Sequence, residues 1–311
     1  MCKKPGSIDT AVAGRERRGL VACASLLALL CFCVAANAQQ QHSVSPFTGN
    51  LVSAAAAAGS QTSSGGKAEE EEFIKPSRPG VAMPAEIQKP GVLQLEFGYD
   101  ANFRSEELHE DHSLPLTLRF AATKRLLLEL DIDVLKSVRE EEGGPRMSGV
   151  GDTRLGFQVV ALEDNEEHPA LAFAYFVKAP SASESKGLGT GRFDHKLVAL
   201  LGKKFGETDV DFNAAYLNTG REDSARRASG GQAALSISHE FKNNAGVEAE
   251  ISGQSLDDVQ PRGLFALGAF TYKVNRRLTF DAGLRFGLNP EAPRVGVFAG
   301  FTIGVADLYK K

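Results

Sequence analysis

The chain has no tryptophan and only three methionines, and its four cysteines stand at positions 2, 23, 31 and 33. No thiol remains after residue 33, so a disulfide-stapled scaffold is excluded for the rest of the chain. Blocks of lysine and arginine are missing and the formal net charge is -4, so the basic footprint of a nucleic-acid-binding protein is absent. Past the N-terminal region no apolar run approaches the roughly 20 residues that a transmembrane helix needs. Helical periodicity is scarce too. Abundant instead are glycine, with 32 residues, and phenylalanine, with 19. These suit turns and strands. A hydrophobic content of 42% with 24% charged residues is that of an ordered protein.

Lys3, Lys4, Arg15, Arg17 and Arg18 precede the apolar stretch Leu20 to Ala35 and the small triplet Ala36-Asn37-Ala38. That order of basic, apolar and small residues predicts a secretory signal peptide over 1–38, cleaved after Ala38. Cleavage removes every cysteine and leaves a more acidic chain. Leu20-Val21-Ala22-Cys23 is like a lipoprotein box, but the apolar stretch ahead of Cys23 is too short for a signal. Arg17-Arg18 lacks the flanking residues of twin-arginine export. Residues 39–90 are rich in Gln, then in Ala from Ala54 to Ala58, then in Ser and Gly. The acidic run Glu69 to Glu72 and the prolines Pro76, Pro79, Pro84 and Pro90 complete the segment. It reads as a disordered periplasmic linker with one short extended piece near Arg78-Pro79-Gly80, since it offers little apolar surface to offset its ordering entropy.

From Gly91 the pattern becomes period two. Leu93, Leu95, Phe97 and Tyr99 alternate with Gln94, Glu96 and Gly98; later, Leu126 to Val134 alternates with Glu129, Asp131 and Asp133. Successive strand side chains point to opposite faces, so each such segment has one apolar and one polar face. About twelve segments of this kind follow one another to the end of the chain, two of them, near 193–205 and 263–274, without a clear choice of face. The connections alternate in length: 101–112, 136–151, 181–192, 219–231 and 255–262 are long, whereas 122–125, 163–168, 206–208, 243–246 and 275–277 are short. Long extracellular loops and short periplasmic turns produce this alternation in transmembrane barrels, with both termini in the periplasm. Tyr99, Tyr216 and Tyr272 fall near strand ends, where interfacial aromatics belong. The expected fold is therefore all-β, a transmembrane antiparallel β-barrel of about 12 strands over residues 91–311.

If the apolar face meets lipid, the polar face lines the lumen. The candidate lumen-lining residues are Glu96, Arg119, Glu129, Asp131, Asp133, Asp152, Arg154, Lys178, Asp209, Asp211, Glu248, Glu250, Asp281 and Arg285, joined by Asp100 and Glu240. Acids outnumber bases among them, and carboxylates around a pore favour cations. The same groups could equally solvate one another, with Arg119, Arg154 and Arg285 pairing some of the acids.

Several stretches resemble the outer-membrane transporter family named for the meta-cleavage pathway of phenol degradation. They are Lys89-Pro90-Gly91-Val92-Leu93-Gln94-Leu95-Glu96-Phe97-Gly98-Tyr99, Gly149-Val150-Gly151-Asp152-Thr153-Arg154-Leu155-Gly156, and Pro169-Ala170-Leu171-Ala172 leading to Val177-Lys178-Ala179-Pro180. Gly187-Leu188-Gly189-Thr190-Gly191 with Asp194, and the strand Gly283 to Leu288, complete the likeness, which runs from about residue 78 onward. The resemblance implies an outer-membrane barrel with a transport role, and its name hints at aromatic or hydrophobic solutes. One departure stands out: such barrels usually finish on an aromatic residue read by the insertion machinery, whereas this chain continues through Asp307-Leu308-Tyr309-Lys310-Lys311.

Other chemistry is weaker. His109-Glu110-Asp111-His112 has metal-ligand residue types but falls in an expected loop without a third partner elsewhere. The glycine-rich stretch at 187–191 precedes a strand, so the helix N-terminus of a phosphate loop is missing. Outer-membrane phospholipases carry the string His-x-Ser-Asn-Gly-Arg, which does not occur here, and His195 and His239 have no serine placed beside them by the sequence. No catalytic, metal or cofactor site is expected. The expected function is passive passage of small molecules, with outer-membrane lipid and the insertion machinery as partners. The alternative is a surface or structural protein that binds partners through its long loops.

Overall fold

The computed structural model describes residues 72–104, 109–221, 224–256 and 263–309. The expected signal peptide at 1–38 and residues 39–71 of the expected linker lie outside them. Twelve long strands make the wall: β1 (Val92–Phe103), β2 (Glu110–Ala121), β3 (Leu126–Arg139), β5 (Thr153–Leu162), β6 (Ala170–Ala179), β7 (Asp194–Phe205), β8 (Thr208–Arg221), β9 (Ser224–Glu240), β10 (Ala245–Leu256), β11 (Gly263–Asn275), β12 (Leu278–Gly287) and β13 (Val295–Asp307). A short β4 (Met147–Gly149) pairs only with β3.

Every long strand pairs antiparallel with its sequence neighbours, and β1 closes the sheet by pairing with β13 from Val92↔Asp307 to Phe103↔Val295. Closure leaves no row of unpaired backbone groups, which is the condition for strands to lie in lipid. Among the described residues no helix is long and apolar enough to cross a membrane. The strands run from 10 to 17 residues, enough for the 9 to 11 that a tilted strand needs to span.

Period-two alternation becomes inside-outside alternation. On β6, Ala170, Ala172, Ala174 and Phe176 are buried while Phe173 between them is 47% exposed. Leu155, Phe157, Leu197, Phe270, Phe280 and Leu284 likewise project outward from neighbouring strands. A band of exposed Leu, Phe and Val around the wall far exceeds the apolar patches of water-soluble proteins, and lipid is the solvent that suits it.

Parts of two expected loops turn out to be strand. Residues 219–221 and 224–231 extend β8 and β9, whose register runs on through Asn218↔Ser229, Thr219↔Ala228 and Gly220↔Arg227. Here both faces are polar or small because the hairpin projects beyond the hydrocarbon, so alternation no longer marks the strand. Glu110, Asp111 and His112 belong to β2 for the same reason. Glu110 pairs with Arg139 at 3.5 Å and with Arg146, and the His112 Nδ1 lies 2.6 Å from the Tyr99 hydroxyl.

Leu130 lies on the outward face near the middle of β3, between inward Glu129 and Asp131. Leu130→Arg should cost about 2–4 kcal/mol of folding stability in lipid vesicles. Leu130→Phe should be close to neutral; urea titrations followed by gel mobility would measure both.

Candidate functional site

Residues 72–90 are held inside the barrel. The linker expectation is corrected for this part: the segment has no helix or strand, but the barrel wall binds it residue by residue. Its four prolines suit that position, because each removes a backbone donor that has no ladder partner there and biases the preceding residue toward extended backbone.

Side-chain amides replace the missing ladder. Gln94 on β1 accepts from the Lys75 amide at 2.9 Å and donates to the Lys75 carbonyl at 3.0 Å. Asn213 on β8 repeats the pattern with Met83, at 2.8 and 2.9 Å. Both imitate the paired bonds of two antiparallel residues. Glu96 on β1 accepts from the Ser77 amide at 3.0 Å, and the Glu250 Oε2 on β10 accepts from the amides of Val81 at 2.6 Å and Ala82 at 2.7 Å. Gln158 on β5 donates to the carbonyls of Pro84 and Ala85, and Gln88 donates to that of Arg119 on β2. The wall strands touched in turn are β1, β12, β10, β8, β5 and β2, which is their order around the barrel. The segment thus makes one circuit of the inner wall as a belt, and the Lys89 amide closes it on the Glu72 carbonyl at 2.9 Å.

Charge fixes the belt further. Arg78 forks onto Asp281 of β12 through two bonds of 3.1 and 3.2 Å. Lys75 lies within 3.5 Å of Glu72, Glu86 and Asp209, and Lys89 pairs with Asp307 at 2.8 Å. Burial works against the charge on Lys75, but Glu72, Asp209 and Glu86 outweigh it and hold the ammonium far above the usual lysine range. Met83 and Ala85 supply the apolar contact, packing on Ala170, Ala172, Ala174 and Leu200.

The predicted lumen residues divide into groups. Glu96, Asp209, Glu250 and Asp281 meet the belt as described. Arg119, fully buried, lies between Glu96 at 3.5 Å and Glu129 at 3.2 Å, and its Nη1 donates to the Lys75 carbonyl at 2.6 Å. Asp131 takes Arg154 at 2.9 Å and the Thr117 hydroxyl at 2.6 Å. Farther out, Lys178 lies 3.0 Å from Asp152 and 2.6 Å from Asp194, while Arg285 joins Asp100 at 3.1 Å. Asp211 and Glu248 line a cavity of about 150 Å³ beside the belt, and Asp133 lines a larger one of about 500 Å³ in the outer half of the lumen. Glu240 pairs with Lys273. Gln94, Gln158, Asn213, Lys75 and Arg78 were not among the candidates; the readable signal for the first three was an uncharged amide at an inward position of a period-two strand.

The extracellular mouth is narrowed by the loop between β6 and β7. After the single turn Glu184–Lys186, Gly187 adopts φ 64°, and Leu188 tucks inward until it is 1% exposed. Lys178 donates to the Thr190 hydroxyl at 3.1 Å, tying the loop to the wall.

A family model described as "Putative MetA-pathway of phenol degradation" matches residues 127–304. Among solved structures the chain is similar to an outer membrane channel from Pseudomonas putida F1, with 17% identity, a TM-score of 0.52, and 73% of this chain and 98% of that chain covered. It is also similar to outer membrane phospholipase A from Escherichia coli, with 13% identity, a TM-score of 0.40, and coverages of 70% and 97%. A third likeness is to the CymD monoaromatic hydrocarbon channel, with 12% identity, a TM-score of 0.38, and coverages of 70% and 89%. No curated protein matches the sequence. At such identities the first of these structures speaks for the fold.

Hydrogen exchange tests the belt directly. The amides of Val81 and Ala82 should exchange slowly in the intact protein and at least about tenfold faster in Glu250→Ala, because bonds to a charged acceptor contribute about 1.5–3 kcal/mol. The amide of Lys75, held by Gln94, should change less.

Proposed function

We propose, from the premise that this chain belongs to the MetA-pathway family of phenol degradation, that it is an outer-membrane channel for passive passage of small molecules with apolar or aromatic character. The carrying observation is the division of the wall: a closed barrel with an apolar exterior and a polar interior that still holds cavities of about 150 and 500 Å³ on either side of its belt. A barrel built only as a scaffold would gain stability by filling these spaces with side chains. No energy-coupling motif is visible in the sequence, so movement down a gradient is the mechanism. Export by a signal peptide cleaved after Ala38, followed by the insertion machinery, belongs to the same reading.

A channel, rather than an enzyme, is the role that fits these groups. His195 lies 2.8 Å from the Tyr175 hydroxyl and His239 lies 2.9 Å from the Thr208 hydroxyl, so neither is placed as the base of a serine nucleophile. The inward fold of the 181–192 loop also leaves less surface for a protein partner than a free loop would.

Conductance in planar bilayers is the test. A variant lacking residues 72–88 should conduct several-fold more than the intact chain, since its interior loses its largest occupant. It should also become more cation-selective in a salt gradient, because Lys75 and Arg78 no longer neutralise Asp209 and Asp281. Equal conductance and equal reversal potential in the two proteins would contradict this reading of the lumen.

A further inference from the structure

The outer chamber of about 500 Å³ has a size typical of small-molecule sites, and its wall is not uniform. At one level the register aligns Gly156, Phe176, Lys196 and Leu217 across β5, β6, β7 and β8. A Cβ at position 156 would come within 2.1 Å of the Phe176 ring, so glycine is what lets that ring lie against β5. Arg154 stacks 4.8 Å from the centre of the same ring. Lys196 therefore projects between two apolar side chains, Phe176 on one side and Leu217 on the other, both lining the chamber with it.

The other cations of the chamber are committed. Arg154 serves Asp131, Lys178 serves Asp152 and Asp194, and Lys136 reaches the Leu188 carbonyl at 3.5 Å. Among the described residues Lys196 makes no hydrogen bond or ion pair, although it is only partly exposed. Thr219, also on the chamber wall, is 8% exposed and its hydroxyl has no partner either. A half-buried ammonium beside a ring, with an unsatisfied hydroxyl in the same space, is an arrangement that a bound solute would complete.

The geometry points to a binding subsite in this chamber for a small organic monoanion with an aromatic body, its carboxylate on Lys196 and its ring against Phe176 and Leu217. Asp133 lines the same chamber and, among the described residues, makes no ion pair, so it disfavours a second negative charge. The subsite thus prefers a monocarboxylate to a dicarboxylate. This inference rests on the channel reading and names a solute class for it.

The probes are benzoate, the neutral benzamide and the dianion phthalate, titrated against the purified full-length mature protein in detergent by ligand-observed NMR. Benzoate should bind more tightly than either of the others. Lys196→Met should weaken benzoate at least tenfold and leave benzamide unchanged, and Lys196→Arg should retain benzoate. Heat-modifiable gel mobility verifies that each variant is folded. Benzoate binding no tighter than benzamide, or unaltered by Lys196→Met, overturns the subsite. Phenol flux into proteoliposomes separates the two readings: flux without selective benzoate binding removes the subsite and keeps the channel. A folded protein that passes no solute even without residues 72–88 removes the channel, while the NMR titration still decides the subsite.

Discussion

Every backbone N–H and C=O in a lipid-embedded wall needs a partner, and this requirement governs the whole molecule. The wall meets it by closure, with β1 returning to β13 so that none of its twelve long strands is an edge strand. Inside the barrel residues 72–90 face the same requirement without any strand to pair with. Prolines reduce the number of donors, and Gln94, Asn213, Glu96 and Glu250 supply the missing partners.

Electrostatics couples the two parts. Considered alone, the wall presents more carboxylates than cations to its interior, and such groups are costly to desolvate unless they are paired. The belt brings Lys75, Arg78 and Lys89 to Asp209, Asp281 and Asp307, with Lys75 also pairing within the belt to Glu72 and Glu86. The acidic excess that suggested a cation filter is in good part a docking surface for the chain's own N-terminal segment.

Belt and inward loop divide the lumen between them. Below, the belt leaves the narrow space by Asp211 and Glu248; above, Leu188 and the residues around it cover a wider chamber. From the mouth inward, the lumen presents the paired charges of Lys178 and Arg154, then Phe176 and Leu217, and then the belt. The apolar side chains on the inner wall sit next to charges that are mostly already paired.

The strands were legible in the sequence because lipid on one face and water on the other impose period two on every residue between them. Leu93 to Tyr99, Leu126 to Val134 and Leu278 to Phe286 show it plainly. Where both faces are wet, as over 219–221 and 224–231, the signal stops although the strands go on. The path of the belt was not legible, because a proline-rich segment without periodicity has the same composition whether it is bound or free. Its partners also lie far along the chain, Asp281 being 203 residues from Arg78 and Glu250 169 from Val81. The sequence by itself determined the barrel, since alternation is a local property of each strand. Only the tertiary structure decided that the lumen is occupied, and by which residues, because that depends on charges and amides brought together by closure of the sheet.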